Sequence, residues 1–253
     1  MVLLLVKKPK ALLFDVSGTV TKTSFIDRIL IPYITNNIRT YLEQNWDTRM
    51  VKVDLENIRE ELKKNPIQGI YISDTETNKE IIIDAVSKWV KTIPGENTTN
   101  QAFGLLRFHM WFDGFRKNLL ETPVYSDVAI QISKWRGELD IKLYVFSNGW
   151  SEATKRFLSK TNHGDLNLLI EKHFDTSLGK LTDSATFTKI LNDIQEKASD
   201  VCLLTKCPLE GKAAISAGLT VVLVLTHRRN IEKLDEEAKK MPRVRSFNEI
   251  EFD

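Results

Sequence analysis

The stretch Lys10-Ala11-Leu12-Leu13-Phe14-Asp15-Val16-Ser17-Gly18-Thr19 joins an apolar run to a turn of small residues, with a carboxylate at the junction. An Asp at the end of a buried strand is costly to desolvate unless a partner meets it. The carboxyl ends of parallel strands are also where open α/β sheets take their ligands. Gly18 permits a tight turn and a close backbone approach, and neighbouring N–H groups in such a turn can converge on a phosphate. Asp15 in that cradle is a candidate nucleophile toward phosphorus, forming an aspartyl-phosphate. The competing reading is an ordinary strand-to-helix turn with Asp15 as a cap.

Three further apolar runs, at 141–146, 201–204 and 220–225, share the β-branched and Leu-rich character of 11–14. Without polar alternation they fit strands buried on both faces of a parallel sheet. Helical patterns at 151–159, 184–196 and 209–217 lie between them, the second with Phe187, Ile190, Leu191 and Ile194 on one face. Alternation of this kind predicts an α/β fold, a doubly wound and mostly parallel sheet.

The segment after the first strand reads differently. Ile31, Ile34, Ile38, Tyr41 and Leu42 recur at helical spacing, with Pro32 acceptable in the first turn. Leu55, Ile58 and Leu62 repeat the pattern, as do Ile82, Ala85, Val86, Trp89 and Val90, and 101–117 supplies a fourth helix. Turn-rich breaks at 65–75 and 93–100 separate them. The organisation expected is an α/β core of 1–22 and 122–253 with an inserted helical cap domain at 23–121. Such a cap serves to exclude water and to add substrate contacts.

Composition excludes several classes. The chain has 253 residues, 28% of them charged, and a formal net charge of only +2, so no nucleic-acid footprint stands out. Two cysteines, Cys202 and Cys207, make no disulfide framework. The apolar opening Met1-Val2-Leu3-Leu4-Leu5-Val6 is too short to span a bilayer and lacks the flanks of a signal peptide. A monomer of the cytoplasm or nucleus, bound to neither membrane nor nucleic acid, is the expectation. The four histidines show no metal-ligand spacing.

The run at 141–146 leads into Ser147-Asn148-Gly149, a hydroxyl and backbone N–H groups suited to a phosphoryl oxygen. Strand-Asp-x-x-Gly-Thr, a helical insertion, strand-Ser-x-Gly and a later strand ending in Leu203-Leu204-Thr205 together resemble the haloacid-dehalogenase-like hydrolases. The chain resembles their enolase-phosphatase (acireductone synthase) branch more closely. Ile29-Leu30-Ile31-Pro32-Tyr33-Ile34, Asn45-Trp46, His109-Met110-Trp111, Lys134-Trp135-Arg136 and His173-Phe174-Asp175-Thr176 carry that likeness across nearly the whole chain.

The resemblance implies a role in methionine salvage, where a diketo methylthiopentyl phosphate is enolised and dephosphorylated to acireductone with Mg²⁺ as cofactor. It places the nucleophile on Asp15 and phosphate contacts on Ser147 and Asn148. Three positions depart from the family pattern. Ser17 stands where the family has an acid, Lys206 where it has a metal-binding Asp, and Leu181 where it has a Lys, with Lys180 one residue earlier as the substitute.

Charge makes these changes matter. Mg²⁺ wants oxygen ligands in octahedral geometry. At roughly 4 Å and an effective dielectric near 20, an ammonium meeting a divalent ion costs about 8 kcal/mol. If Lys206 turns inward, its ammonium is expected to pair with Asp15 in the vacated cation position. The Ser17 hydroxyl is a poor general acid or base, a role worth roughly 10²–10⁴ in rate. The expectation is therefore a family member with weak or lost hydrolysis and a doubtful Mg²⁺ site. The alternative is a non-catalytic relative, a pseudoenzyme that binds a small anion or a protein partner.

Overall fold

The computed structural model describes residues 3–93 and 100–253, apart from the side chains at 228 and 229. In chain order, β1 (Leu4–Val6) and β2 (Ala11–Phe14) precede α1 (Ile31–Asn45), α2 (Arg49–Lys64), α3 (Lys79–Lys91) and α4 (Gln101–Arg116). Next come α5 (Ser126–Gly137), β3 (Lys142–Phe146), α6 (Ser151–Ser159), β4 (Ile170–Phe174), α7 (Ser184–Ile194), β5 (Val201–Thr205) and α8 (Pro208–Ser216). β6 (Thr220–Val224), the short α9 (Arg228–Glu232), β7 (Arg243–Val244) and β8 (Ile250–Phe252) complete the order. The chain divides into two compact units, Met1–Thr23 with Glu121–Asp253, and Ser24–Leu120. Most of the expected break at 93–100 falls outside the described residues.

The first unit is built on a six-stranded sheet in the order β4-β3-β2-β5-β6-β7, parallel throughout. The four apolar runs are its interior strands β2, β3, β5 and β6. Successive side chains go to opposite faces. Leu12 and Phe14 of β2 join one core layer with Ile132 and Trp135 of α5. Ala11 and Leu13 join the other with Phe187 and Ile190 of α7. Trp135 stacks on Phe247 at 5.3 Å between ring centroids, closing the first layer.

The edge strands were not legible as strands. β4 reads Ile-Glu-Lys-His-Phe, and its Glu171 and Lys172 are exposed because an edge strand buries only part of its surface. β7 has two residues. The apolar opening became β1, which pairs in parallel with β8 as a separate two-stranded sheet.

The second unit is helical. A π-helical turn, Ile26–Leu30, runs directly into α1, whose first turn holds Pro32. Thr48, Asn78 and Asn100 cap α2, α3 and α4 by accepting from backbone N–H groups. Trp89 and Phe103 meet edge to face at 6.3 Å in the interior. Trp111 Nε1 donates to the Leu30 carbonyl at 2.9 Å. Asp54 is fully buried, and His109 Nδ1 lies 2.9 Å from each of its oxygens. Burial raises the Asp54 pKa and the histidine opposes the rise, which is how this carboxylate is accommodated. Among the described residues no helix is long and apolar enough to cross a membrane.

In the first unit, buried His173 ties β4 to α6. Its Nδ1 lies 2.8 Å from the Thr154 hydroxyl and its Nε2 2.7 Å from Asn167 Oδ1. Burial, helped by the Lys155 charge, lowers its pKa from 6.5 to about 4. The unfolded chain therefore takes up the proton first as pH falls. Stability is expected to be intact above pH 6.5 and to decline towards pH 4, by at most about 3 kcal/mol from this group. Urea unfolding across that range should show the decline in the wild type and a flatter profile in His173→Gln.

Candidate active site

Parallel register decides which side chains meet. Phe14 lies opposite Val145 of β3 and Leu204 of β5, so these three adjacent strands end together. Asp15, Ser147 and Lys206 follow those ends, on strands about 4.8 Å apart. The Asp15 N–H still donates to the Leu204 carbonyl at 3.3 Å. Past Asp15 the chain folds back, with Gly18 N–H donating to the Thr21 carbonyl at 2.6 Å and Gly18 at a φ of +83°. That conformation suits glycine.

Asp15 is only 8% exposed. Burial pushes its pKa up to about 7, the Lys206 ammonium opposes the rise and the Glu210 carboxylate adds to it. Backbone N–H groups of Val16 and Ser17 also favour the charged form. Lys206 turns inward, yet the expected direct pair with Asp15 gives way to another contact: Nζ donates to the backbone carbonyl of Ser17. The amine sits over the Gly18 turn, where a Cβ on Gly18 would lie 2.6 Å from Lys206 Cδ and 3.0 Å from Nζ. Asp15 feels this charge through space.

Glu210 was missed by sequence reasoning. An acid in the first turn of a helix ordinarily serves the helix dipole and sends no functional signal. Here it is buried, and its Oε2 accepts from the Thr205 hydroxyl at 2.5 Å. Thr205 Oγ1 in turn accepts from the Cys207 N–H at 3.0 Å, so the strand-end turn carrying Lys206 is pinned on both sides. Burial raises the Glu210 pKa, while Thr205 and Lys206 oppose the rise.

Ser147 is buried at the end of β3, and its Oγ accepts from the Gly149 N–H at 3.2 Å. Asn148 is exposed beside it. Lys180 is also exposed and lines an open depression of about 530 Å³ with Thr182, Asp183, Ser184, Leu209 and Lys212. No contact in the structure brings Lys180 to Asp15 among the described residues. Leu181 is buried in the core layer shared with Phe187, so a charged side chain is not accommodated at that position without loss of packing.

The groups around Asp15 do not fit Mg²⁺. The buried carboxylates of Asp15 and Glu210 share the site with the Lys206 ammonium, which is seated on the Ser17 carbonyl and repels a divalent ion. Among the described residues no group of three or more His, Cys, Asp or Glu side chains is placed to hold a metal ion.

Solved structures share this fold. The UTR4 protein of Saccharomyces cerevisiae superposes with a TM-score of 0.71 at 24% identity, covering 95% of this chain and 99% of that one. The HAD-hydrolase YfnB of Bacillus subtilis, solved with bound magnesium, gives 0.56 at 17% identity, covering 96% and 97%. The parallel sheet with an Asp at the end of a central strand is thus a haloacid-dehalogenase-like hydrolase fold. No protein-family model matches the chain. An enolase-phosphatase E1 of Xenopus tropicalis is 31% identical over 249 residues, covering 95% of this chain and 94% of that protein. Enolase-phosphatases E1 of Anopheles gambiae and Aquifex aeolicus are 30% and 27% identical, over 96% of this chain and 82% and 99% of theirs. The chain belongs to the enolase-phosphatase E1 family.

Gly18 tests the geometry of the turn. Gly18→Ala forces a left-handed φ on a residue with a Cβ, which costs about 1–2 kcal/mol before any clash with Lys206 and Thr23. We expect urea unfolding to show a loss of at least that size, with Lys206 displaced from the Ser17 carbonyl.

Proposed function

We propose that the protein binds the small phosphorylated diketone of the methionine-salvage reaction and hydrolyses it slowly or not at all. Asp15 faces phosphorus, Ser147 and Asn148 receive phosphoryl oxygens, and Lys180 reaches the anion from the rim. Family membership supports the substrate class. One observation carries the weak hydrolysis: the Lys206 ammonium rests on the Ser17 carbonyl beside Asp15.

In a competent site, a carboxylate attacks phosphorus while an acid protonates the leaving oxygen and later draws a proton from water. This chain keeps the attacking group. At the second position it has only the Ser17 hydroxyl, whose pKa is far too high for either proton transfer. A divalent ion would clamp and neutralise the phosphoryl oxygens when bound, and the residues here leave it poorly served. The reading includes a monomer of the cytosol or nucleus that acts on a small molecule. Its bulk charge and two cysteines support that placement.

Phosphate release from the diketo phosphate and from a generic phosphomonoester, followed colorimetrically with and without Mg²⁺, tests the reading. We expect release roughly 10²-fold or more below a competent phosphatase, with no stimulation by Mg²⁺. Robust metal-stimulated turnover would overturn it. Calorimetry on the double variant Ser17→Glu with Lys206→Asp should show Mg²⁺ binding that the wild type lacks, and a double variant indifferent to Mg²⁺ would remove the charge explanation.

A further inference from the structure

We propose that Lys206 is the resident cation of this pocket, so that the site takes an oxyanion such as phosphate beside Asp15 without a divalent metal. The proposal rests on the pocket assignment above and adds the means by which the anion is held.

Three observations carry it. First, an ammonium has three donors. One is used on the Ser17 carbonyl, and among the described residues no protein acceptor takes the other two. Those two protons remain for a ligand, on a side chain that is itself half-buried. The Ser147 hydroxyl, buried and one strand away on the other side of Asp15, likewise accepts from Gly149 and keeps its proton for a ligand.

Second, the ammonium is held in place. The Ser17 carbonyl anchors Nζ, and Glu210, itself tied to Thr205, fixes the turn from which Lys206 projects. A mobile surface lysine would spend entropy on each binding event, whereas an anchored one has already lost that freedom.

Third, the charge balances. Asp15, Glu210 and Lys206 carry a formal total of one negative charge when all are ionised. With Asp at 206, the three side chains would carry three negative charges, and a divalent ion would return the total to one. The pocket with Lys206 and no metal therefore presents an anion with the same formal charge as a carboxylate version holding its metal. An ammonium binds phosphate as a point charge, so the substitution exchanges a removable cation for a covalently attached one.

Inorganic phosphate is the probe, titrated calorimetrically into the full chain in the presence of EDTA and then of excess Mg²⁺. The wild type should bind phosphate equally under both conditions. Lys206→Met should weaken binding about 10- to 100-fold, the equivalent of one charge-assisted hydrogen bond. Lys206→Asp should bind only with Mg²⁺. Wild-type affinity rising tenfold or more with Mg²⁺, absence of wild-type binding in EDTA, or Lys206→Met binding like the wild type would each overturn the proposal. Should Lys206→Met fail to fold, Lys206→Arg takes its place: it must retain metal-free binding, and loss there counts against the charge.

Competition separates this proposal from the assigned substrate. If phosphate binds without metal and depends on Lys206 but the diketo phosphate fails to displace it, the substrate assignment falls and the resident cation stands. If the diketo phosphate displaces it but Lys206→Met changes nothing, the reverse holds.

Discussion

Parallel hydrogen bonding between β2 and its two neighbours is the constraint on which the site depends. With Phe14 opposite both Val145 and Leu204, the three strands release their chains at one edge of the sheet. A slip of one residue in either pairing would turn the following side chain to the other face. Asp15, Ser147 and Lys206 lie far apart in sequence, and only this register makes them neighbours.

Burial then sets the electrostatics. A carboxylate 8% exposed is expensive to ionise, and its neighbours decide how expensive. Glu210 raises the cost and Lys206 lowers it. The pocket is thus a small cluster of alternating charge rather than a convergence of acids, and its chemistry follows from that. The scaffold of the enolase-phosphatase family is retained, with Ser17 and Lys206 at two positions where the resemblance expects acids. Enolase-phosphatase ancestry explains the shape of the site; the residues at 17 and 206 explain why its behaviour is expected to differ.

Tertiary packing also gave new meaning to residues that looked unremarkable in the chain. Leu181 occupies a position where a lysine was expected by resemblance, and it is core. Lys180, the proposed substitute, lies exposed in an open depression with Thr182, Asp183 and Ser184. Glu210 looked like a helix-start acid and is a buried partner of Thr205. In the helical unit, Asp54 carried no signal in a sequence full of acids, yet it is fully buried against His109.

The sequence alone determined the interior strands, because a strand covered on both faces is apolar nearly throughout, and 11–14, 141–146, 201–204 and 220–225 are apolar apart from Lys142 and Thr220, the exposed first residues of β3 and β6. It determined the α/β class and the nucleophile candidate Asp15 for the same reason, each being a local pattern of residue types, whereas the charge reversal at 206 was legible only through the family resemblance. Edge strands escaped it, since β4 needs only half its side chains buried and so carries Glu171 and Lys172. The direction of the Lys206 amine, its choice of the Ser17 carbonyl over the Asp15 carboxylate, and the burial of Glu210 were decided only by the tertiary structure. Those outcomes depend on which atoms of distant segments compete for one donor at the end of a sheet, and no local pattern encodes that competition.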